Sequence, residues 1–367
     1  MTTHHAIAII GAGLGGLTLA RILHVNGIEA AVYELDSSPT ARTQGGMLDI
    51  HEDSGQAALK AAGLYDEFLR IIMPGGESMK LYGQDAVLRY SDDDRDGGRP
   101  EVHRRDLRDL LIGSLSDGVI RWGSRVVEIS DDRVVRLADG RTFTAELLVG
   151  ADGAWSKVRP LVSDAMPAYT GLSFVEFDLR DPDVHPDSAE LIGAGAMMAL
   201  GDGRGFLAHR EPDRLHVYAA LRTDADWSTR PITKESLLTE FPGWDERFLR
   251  LIRESDGALT PRPIHALPVS HQWKRVPGIT LLGDAAHLMS PFAGEGANLA
   301  IQDAADLAAA LLANPHNLET ALESYESTLF PRSHQSATES AANLALSFAP
   351  DAPAGILNFF TTMPPRD

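Results

Sequence analysis

The start of the chain changes from one hydrophobic pattern to another and back. Residues 6–10 form an apolar run without alternation, which is typical of a strand buried on both faces of a parallel sheet. After a glycine-rich stretch, apolar residues recur at helical spacing between Leu17 and Leu23, until Asn26-Gly27 end the helix. The segment 28–33, which ends at Glu34, predicts the next strand. Together these patterns predict a complete βαβ unit.

The region that follows mixes helical and strand-like patterns. Residues 54–69 and 106–115 have the spacing of amphipathic helices, with Ser54 as the predicted N-cap of the first. Residues 119–150 alternate like strands, with a turn signal at Asp139-Gly140, and end in the apolar run 147–149. The pattern predicts a small antiparallel meander inserted in an α/β domain.

A change in the sequence pattern near Pro167 predicts a second domain. Strand-like runs separated by Gly, Pro and Asp turns continue to about Pro268 and predict an antiparallel sheet. A last apolar strand at 279–282 precedes a helical remainder rich in Ala and Leu. The predicted class is α/β, or α+β over the whole chain, with a C-terminal helix. The predicted limits are 1–166 with 269–315 for a discontinuous first domain, 167–268 for the second, and 316–367 for a C-terminal helical segment.

Composition and charge exclude several classes of protein. The chain is 44% hydrophobic and carries 33 Lys and Arg against 52 Asp and Glu, a formal net charge of -19. We expect a globular protein whose surface repels nucleic acid and anionic lipid. The lack of cysteine excludes disulfides, thiolate metal sites and cysteine nucleophiles, and favours a cytoplasmic protein. No apolar run is long enough for a membrane span or a signal peptide, so we expect neither.

The first candidate site is a glycine motif in the βαβ unit. Gly11, Gly13 and Gly16 follow the GxGxxG spacing between a strand and a helix, and Glu34 ends the next strand. This spacing suits a tight turn, close approach of a pyrophosphate to a helix N-terminus, and a carboxylate that accepts from a ribose hydroxyl. Alone, the glycines could form an ordinary turn. With Glu34 they predict a dinucleotide site for FAD or NAD rather than NADP.

Two further motifs lie at predicted strand ends. Asp152-Gly153 directly follows the strand at 147–149, where an ordinary turn is the alternative interpretation. Gly283-Asp284 follows the strand at 279–282 and leads through a glycine-containing loop to a helix from about Ala297. A helix N-terminus presents free N–H groups, and flanking glycines let a flat ring approach the backbone.

Three strand-end motifs in this order are more specific than any one of them, and with them the chain resembles the group A flavoprotein monooxygenases of the aromatic hydroxylase type. It is more closely similar to the TetX-type tetracycline-inactivating monooxygenases. The shared segments are 41–42, 45–51, 104–108, 242–247 and 283–298. The resemblance covers nearly the whole chain. It implies a Rossmann-like FAD-binding domain of the glutathione-reductase type and a substrate-binding domain on the antiparallel sheet.

The resemblance also implies roles for matching positions. Glu34 would bind the adenosine ribose, Arg104 and Asp49 would contact FAD, and Asp284 would hold its ribityl or phosphate region. Arg42 would lie where NADPH, or NADH, approaches, and the loop 291–296 would lie against the isoalloxazine. The predicted cofactor-binding residues are Gly11, Gly13, Gly16, Glu34, Arg42, Asp49, Arg104, Arg108, Asp152, Asp284, Pro291, Gly294, Glu295, Gly296 and Ala297. Without the family match, the arginines at 104–108 would be interpreted as a solvated helix face.

In enzymes of this family NADPH reduces FAD, dioxygen adds to give a flavin hydroperoxide, and oxygen is transferred to an electron-rich carbon. The cofactor performs the chemistry, so no side chain is predicted to act as a nucleophile and no metal site is predicted. The resemblance therefore implies hydroxylation of a hydrophobic aromatic or polyketide-like small molecule. We also expect the protein to be a monomer. A tetracycline is one candidate substrate.

The chain departs from its relatives at several of these positions. Leu35 follows the ribose acid where they have an Arg, and Glu295 replaces a Gln in the loop beside the flavin. In the substrate domain Glu176 replaces a Gln, and Ala196 or its neighbour stands where they have an Arg. These changes would weaken the grip on an acidic polyketone. The predicted substrate residues are Glu176, Ala196, His216 and Phe292.

Other functions are compatible with parts of the pattern. An NAD-linked dehydrogenase would explain the glycine motif and Glu34 but leaves Asp152 and Asp284 without a role. A halogenase would carry a Trp-x-Trp-x-Ile signature, whereas Trp244 and Trp273 are isolated. A flavin oxidase, or a flavin-binding protein that sequesters a ligand without turning it over, would share the motifs.

Overall fold

The computed structural model describes residues 2–42, 45–92, 98–130 and 132–362. Within these ranges the strands are β1 (Thr3–Ile10), β2 (Ala31–Tyr33), β3 (Met47–Asp49), β4 (Met79–Gly83), β5 (Leu88–Asp92), β6 (Glu101–His103), β7 (Ile120–Arg121), β8 (Val126–Ile129), β9 (Val135–Leu137), β10 (Thr142–Gly150), β11 (Ala168–Arg180), β12 (Ala196–Gly201), β13 (Arg204–Arg210), β14 (Arg214–Arg222), β15 (Asp256–Ala266) and β16 (Ile279–Leu281). The helices are α1 (Leu14–Val25), α2 (Ala57–Ala61), α3 (Tyr65–Phe68), α4 (Arg104–Gly113), α5 (Pro186–Ile192), α6 (Lys234–Thr239), α7 (Glu246–Arg253), α8 (Asp284–His287), α9 (Gly296–Ala313), α10 (Leu318–Ser347) and α11 (Ala354–Thr362).

The chain divides into two compact units. The first contains the chain up to Ile72 together with 102–168 and 265–340. The second contains 73–101, 169–264 and the chain from Ala341 onward. The α/β class expected from the sequence is confirmed.

A parallel sheet forms the centre of the first unit. Its strand order is β7-β2-β1-β10, and β16 pairs with β10 beyond them. All of these pairs are parallel, whereas β9 and β8 continue from the first half of β10 as the predicted antiparallel meander. The last four residues of β1 and of β10 are buried, as expected for strands covered on both faces.

Helix α1 packs very closely because of its glycines. A Cβ on Gly15 would lie 2.6 Å from the carbonyl oxygen of Ala300 in α9, and one on Gly16 would lie 2.2 Å from that of Gly11. Gly11 has a φ of 106°, and its Cβ would lie 2.3 Å from the carbonyl oxygen of Ala151. Glycine is therefore required sterically at these positions.

The second unit is built on one large sheet. Its strand order is β15-β11-β14-β13-β12-β4-β5, with β4 parallel to β12 and antiparallel pairing from β11 through β12. One face packs on α5, α6 and α7 through an apolar core that includes Phe177, Val217, Phe206 and Phe248. Because side chains alternate along a strand, Glu176 and His216 lie on the other face.

The predicted domain limits differ from the observed units in two places. The segment 73–101 was expected in the first domain, but its strand β4 pairs with β12 and so belongs to the sheet of the second unit. The C-terminal helical segment is not a third unit. Leu322 and Leu329 of α10 lie in the core of the first unit, and the chain from Ala341 belongs to the second.

The helix predicted at 54–69 is also interrupted. A π-helical turn over Glu52–Gln56 leads into α2, and Gly63, with a φ of 64°, separates α2 from α3. Ser54 therefore lies inside the π-helical turn and is not an N-cap. The helix predicted at 106–115 runs over Arg104–Gly113. Within the described ranges, no helix is long and apolar enough to cross a membrane.

Candidate functional site

The sequence motifs meet at one edge of the parallel sheet. The last residue of β1, Ile10, pairs with Tyr33 of β2 and with Gly150 of β10, and Gly150 pairs with Leu281 of β16. The glycine loop, Glu34, Asp152 and Asp284 directly follow these strand ends. In open α/β sheets ligands bind outside the carboxyl ends of the strands, so this edge is the candidate site of the first unit.

The N-terminus of α1 presents its amides without a side-chain cap. Gly13 is the N-cap residue, no side chain accepts from the first turn, and that turn contains no acidic residue. A Cβ on Gly13 would meet no atom within 4 Å, in contrast to the crowded Gly11, Gly15 and Gly16. Packing does not require glycine at position 13, and the space beside it is open. An anion can approach the backbone and the positive end of the helix dipole there.

Glu34 is buried beside the glycine loop. Its carboxylate accepts from the backbone N–H of Ala12 at 2.6 Å and from that of Asp36 at 2.9 Å. Only 3% of the residue is exposed. Glu34 therefore fixes the entry to α1 relative to β2.

Arg108 ties the same loop to the chain after β2. Its Nε donates to the carbonyl of Ala12 at 3.2 Å, and its Nη1 donates to the carbonyl of Pro39 at 3.0 Å. Its Nη2 is buried without a hydrogen-bond partner, 3.9 Å from a carboxylate oxygen of Asp36. Arg42 donates to that same oxygen at 2.8 Å, and 60% of its side chain is exposed. The negative charge of Asp36 therefore faces the positive charges of both Arg108 and Arg42.

Asp152 directs both oxygens into its own loop. Oδ1 accepts from the hydroxyl of Ser156 and Oδ2 from the backbone N–H of Lys157, each at 2.6 Å. Burial raises the pKa of the carboxyl, and these hydrogen bonds oppose that rise. The carboxylate shapes the turn after β10, which is the ordinary-turn interpretation of this motif.

Asp284 begins α8 and is accessible to water. The neighbouring protein desolvates the charged form of the carboxyl and so raises its pKa, against the opposing charges of His287 and Arg104. Gly283, with a φ of 59°, makes the sharp turn between β16 and α8. A carboxyl in such a setting is suited to hydrogen bonding with a hydroxyl-bearing ligand.

An ion cluster around the fully buried Asp303 supports this turn from behind. Asp303 of α9 accepts from the backbone N–H of Gly283 at 2.8 Å, from Nε2 of His287 at 2.6 Å and from Nη2 of Arg332 at 2.7 Å. Burial alone would raise the pKa of Asp303, but the charges of His287 and Arg332 outweigh it and lower that pKa. The cluster fixes the position of Asp284.

The loop 291–296 links α8 to α9. Pro291–Ala293 form a 3₁₀ turn, Gly294 has a φ of 69°, and Glu295 precedes the first helical residue, Gly296. Phe292 is half-buried in the turn, and Ala297 packs on the core in the first turn of α9.

The Glu295 side chain makes its ion pair with a residue outside its own helix. Glu295 is the N-cap residue of α9, but its side chain makes no capping hydrogen bond, and its Oε1 lies 3.3 Å from Nδ1 of His51. Nε2 of His51 lies 2.8 Å from Oδ2 of Asp49 on β3. The predicted residues Asp49 and Glu295 are therefore brought together by a histidine to which sequence reasoning gave no role.

The predicted substrate residues of the second unit share one face of its sheet. Glu176 Oε2 accepts from Nε of Arg262 at 2.6 Å, and its Oε1 lies 3.8 Å from Nε2 of His216. His216 Nδ1 lies 2.6 Å from Oδ1 of Asp178. Strand register aligns Asp178, His216, His209 and Ala196 in one row across four strands. Phe292 belongs to the first unit.

Several residues of these clusters escaped sequence reasoning. His51 and Asn298 lie inside segments that carry the resemblance, and the short Asp-x-His spacing of 49–51 was the available signal. Asp36 lies two residues after the ribose acid. Asp303 and Asp178 have no motif, because each is defined by partners on other elements.

Comparison with known proteins gives four informative likenesses. A family model described as an FAD binding domain matches residues 4–340. Monooxygenase asqM of Emericella nidulans is 31% identical, over 94% of this chain and 96% of that protein. Klebsiella pneumoniae HpxO, solved with FAD and uric acid, has a TM-score of 0.80 at 22% identity, covering 98% of this chain and 92% of that one. The tetracycline destructase Tet(51) has a TM-score of 0.73 at 20% identity, covering 98% and 94%.

Proposed function

The chain belongs to the FAD binding domain family, and from that premise we propose that it uses NADPH and dioxygen to hydroxylate an aromatic or polyketide-like small molecule. That it is an FAD-dependent monooxygenase follows from the family and its named relatives. The resemblance to group A flavoprotein monooxygenases is thereby confirmed. The reductant, the substrate and the roles of single residues are the proposal.

The convergence of the motifs at the carboxyl edge of the parallel sheet carries the proposal. The uncapped first turn of α1 and the open space beside Gly13 fit a pyrophosphate. Glu34 lies at the end of β2, where a ribose hydroxyl would be reached, and Asp284 fits the ribityl or phosphate region. The residues present therefore fit FAD.

Other predicted cofactor residues have a more indirect part in this proposal. Arg108 holds the carbonyls of Ala12 and Pro39, so it positions the glycine loop. Asp152 shapes its own turn. Arg42 keeps an exposed guanidinium although it pairs with Asp36, and can meet the phosphates of the reductant. NADPH as that reductant, rather than NADH, is carried by the resemblance.

When bound, FAD supplies the redox chemistry by accepting a hydride from the nicotinamide and passing electrons to dioxygen. The protein binds, orients and excludes water. The first turn of α9, which begins at Gly296, would offer backbone amides to the ring, where such donors stabilise negative charge. No side-chain nucleophile is required.

We assign substrate binding to the polar face of the second unit's sheet. HpxO was solved with uric acid, and Tet(51) is a tetracycline destructase. In this chain Glu176 is neutralised by Arg262, and Ala196 offers no cation, so the face lacks a free positive charge at these positions for an acidic polyketone. A phenolic or heteroaromatic compound with hydrogen-bond donors suits Glu176 better than an anionic one does. A tetracycline remains one compound to test.

Gly13→Val tests the FAD site directly. Its backbone is extended, with a φ of -77°, and its Cβ enters open space, so the variant folds but occupies the proposed pyrophosphate path. We expect FAD to bind at least tenfold more weakly, about 1.4 kcal/mol. Gly113→Ala, at an equally open position at the end of α4, is the control and should bind normally. Equal affinity in both variants would contradict the assignment.

A further inference from the structure

A buried carboxylate–histidine–carboxylate cluster joins two segments of the proposed flavin site. Both ring nitrogens of His51 face carboxylates, Nε2 toward Asp49 at 2.8 Å and Nδ1 toward Glu295 at 3.3 Å. Only 6% of the His51 side chain is exposed. A neutral imidazole has one N–H, whereas the imidazolium has two. The imidazolium can therefore donate to both carboxylates at once, which a neutral ring cannot do.

The backbone around this cluster is fixed from α9. The N–H of His51 donates to Oδ1 of Asn298 at 3.0 Å, and Nδ2 of Asn298 donates to the carbonyl of Asp49 at 2.8 Å. Asn298 is fully buried. Asn298 thus fixes the backbone at Asp49 and at His51, and this backbone directs the His51 ring toward Glu295.

The cluster also explains where the Glu295 carboxylate points. Glu295 lies between Gly294 and Gly296, so its backbone is flanked by two residues that restrict conformation little. It is the N-cap residue of α9, but its side chain makes no capping hydrogen bond. The ion pair with His51 is therefore the contact that fixes this side chain.

We propose that His51 is a positioning residue that clasps Glu295 against Asp49 and thereby holds the loop 291–296 in its FAD-binding conformation. This inference rests on the proposed function, which places that loop against the isoalloxazine. It assigns the Gln-to-Glu departure at position 295 a partner within the chain.

The charge of His51 supports this arrangement of His51 between Asp49 and Glu295, which we call the clasp. Burial alone would lower the pKa of His51, but the hydrogen bonds and charges of Asp49 and Glu295 outweigh it and raise the pKa to about 9. His51 is therefore protonated at neutral pH. Without it two carboxylates would face each other across the cavity left by the ring, and their repulsion would push Glu295 and its loop away.

Three variants and one control test the clasp through the affinity for FAD, measured by quenching of flavin fluorescence. We expect His51→Gln to weaken binding about tenfold, because a charge-assisted hydrogen bond is lost and the carboxylates repel. Glu295→Gln should weaken it less, since its amide oxygen still accepts from His51. His51→Gln with Glu295→Gln should bind more tightly than His51→Gln alone, because the repulsion is removed. His185→Gln, which breaks a histidine–carboxylate pair with Glu254 in the second unit, should bind normally.

The pattern of rescue decides the proposal. A double variant no better than His51→Gln, or a His51→Gln variant within twofold of wild type, would overturn it. Hydrogen exchange of the apoprotein provides a reading that does not depend on FAD. We expect faster exchange at the backbone amides of 294–299 in His51→Gln, with partial recovery in the double variant. If wild type fails to bind FAD, the proposed function fails, and the exchange pattern still tests the clasp.

Discussion

Replacing Asp303 with Asn should destabilise the first unit strongly, because this carboxylate serves three donors in a fully buried position. The change keeps the shape of the side chain but removes its charge. The Asn side chain has an NH₂ group where the carboxylate had an oxygen acceptor. That NH₂ group would face either Arg332, or the Gly283 N–H and His287, all of which donate to the carboxylate in the wild type. Two cationic partners lose their buried counterion.

The magnitude follows from these contacts. Breaking a buried ion pair by removing one partner costs about 3 to 5 kcal/mol. We expect the lower end, about 3 kcal/mol, because His287 can release its proton once Asp303 is neutral. Asp306→Asn is the matched control. Asp306 pairs with the same Arg332 but is 34% exposed, so its loss should cost less than about 1 kcal/mol.

The assay is denaturant-dependent hydrogen exchange of the amides in β16 and α9, which reports the first unit separately from the second. FAD affinity measured in parallel should fall in Asp303→Asn, since Asp284 loses the support of the turn at Gly283. Equal losses of stability in the two variants would refute the reasoning, and so would a loss below about 1 kcal/mol in Asp303→Asn.

Two further predictions concern the clasp histidine and the ribose acid. The pKa of His51 is about 9 in the fold against an ordinary 6.5, so its charged form stabilises the fold by at most about 3 kcal/mol. This stabilisation is fully present below pH 6.5 and is lost as pH rises through 9. In urea unfolding at pH 6.5 and 10, the free energy of unfolding should fall more in wild type than in His51→Gln, and equal falls in the two proteins would contradict the prediction. Glu34→Gln should weaken FAD binding about tenfold or more, because one of the N–H groups of Ala12 and Asp36 loses its acceptor; an unchanged dissociation constant would exclude Glu34 from the site.

The part of the fold that sequence reasoning predicted is local in the chain. The first βαβ unit could be predicted because strand, glycine turn, helix and Glu34 follow one another within one hydrophobic pattern. The segment 73–101 was assigned to the wrong unit because β4 pairs with β12, more than a hundred residues later, and no periodicity within 73–101 reports that partner.

The candidate site shows the same division. The motifs predicted which loops meet, because carboxyl ends of parallel strands share one edge. They did not predict what each side chain does there. Arg108 holds backbone carbonyls, and His51 meets Asn298 at a separation of 247 residues. Ion clusters of this kind are specified by tertiary packing, so the types of their members are readable in the sequence but their pairing is not.

The reaction itself is tested most directly with isotopically labelled dioxygen. FAD-loaded protein, NADPH and a panel of phenolic, heteroaromatic and polyketide compounds, tetracyclines included, would be assayed for NADPH oxidation and for ¹⁸O in the products. We predict at least one compound that accelerates NADPH oxidation and gains a single ¹⁸O atom from ¹⁸O₂. A protein that binds FAD and the compound but incorporates no label would contradict the monooxygenase assignment and favour an oxidase or a ligand-sequestering flavoprotein.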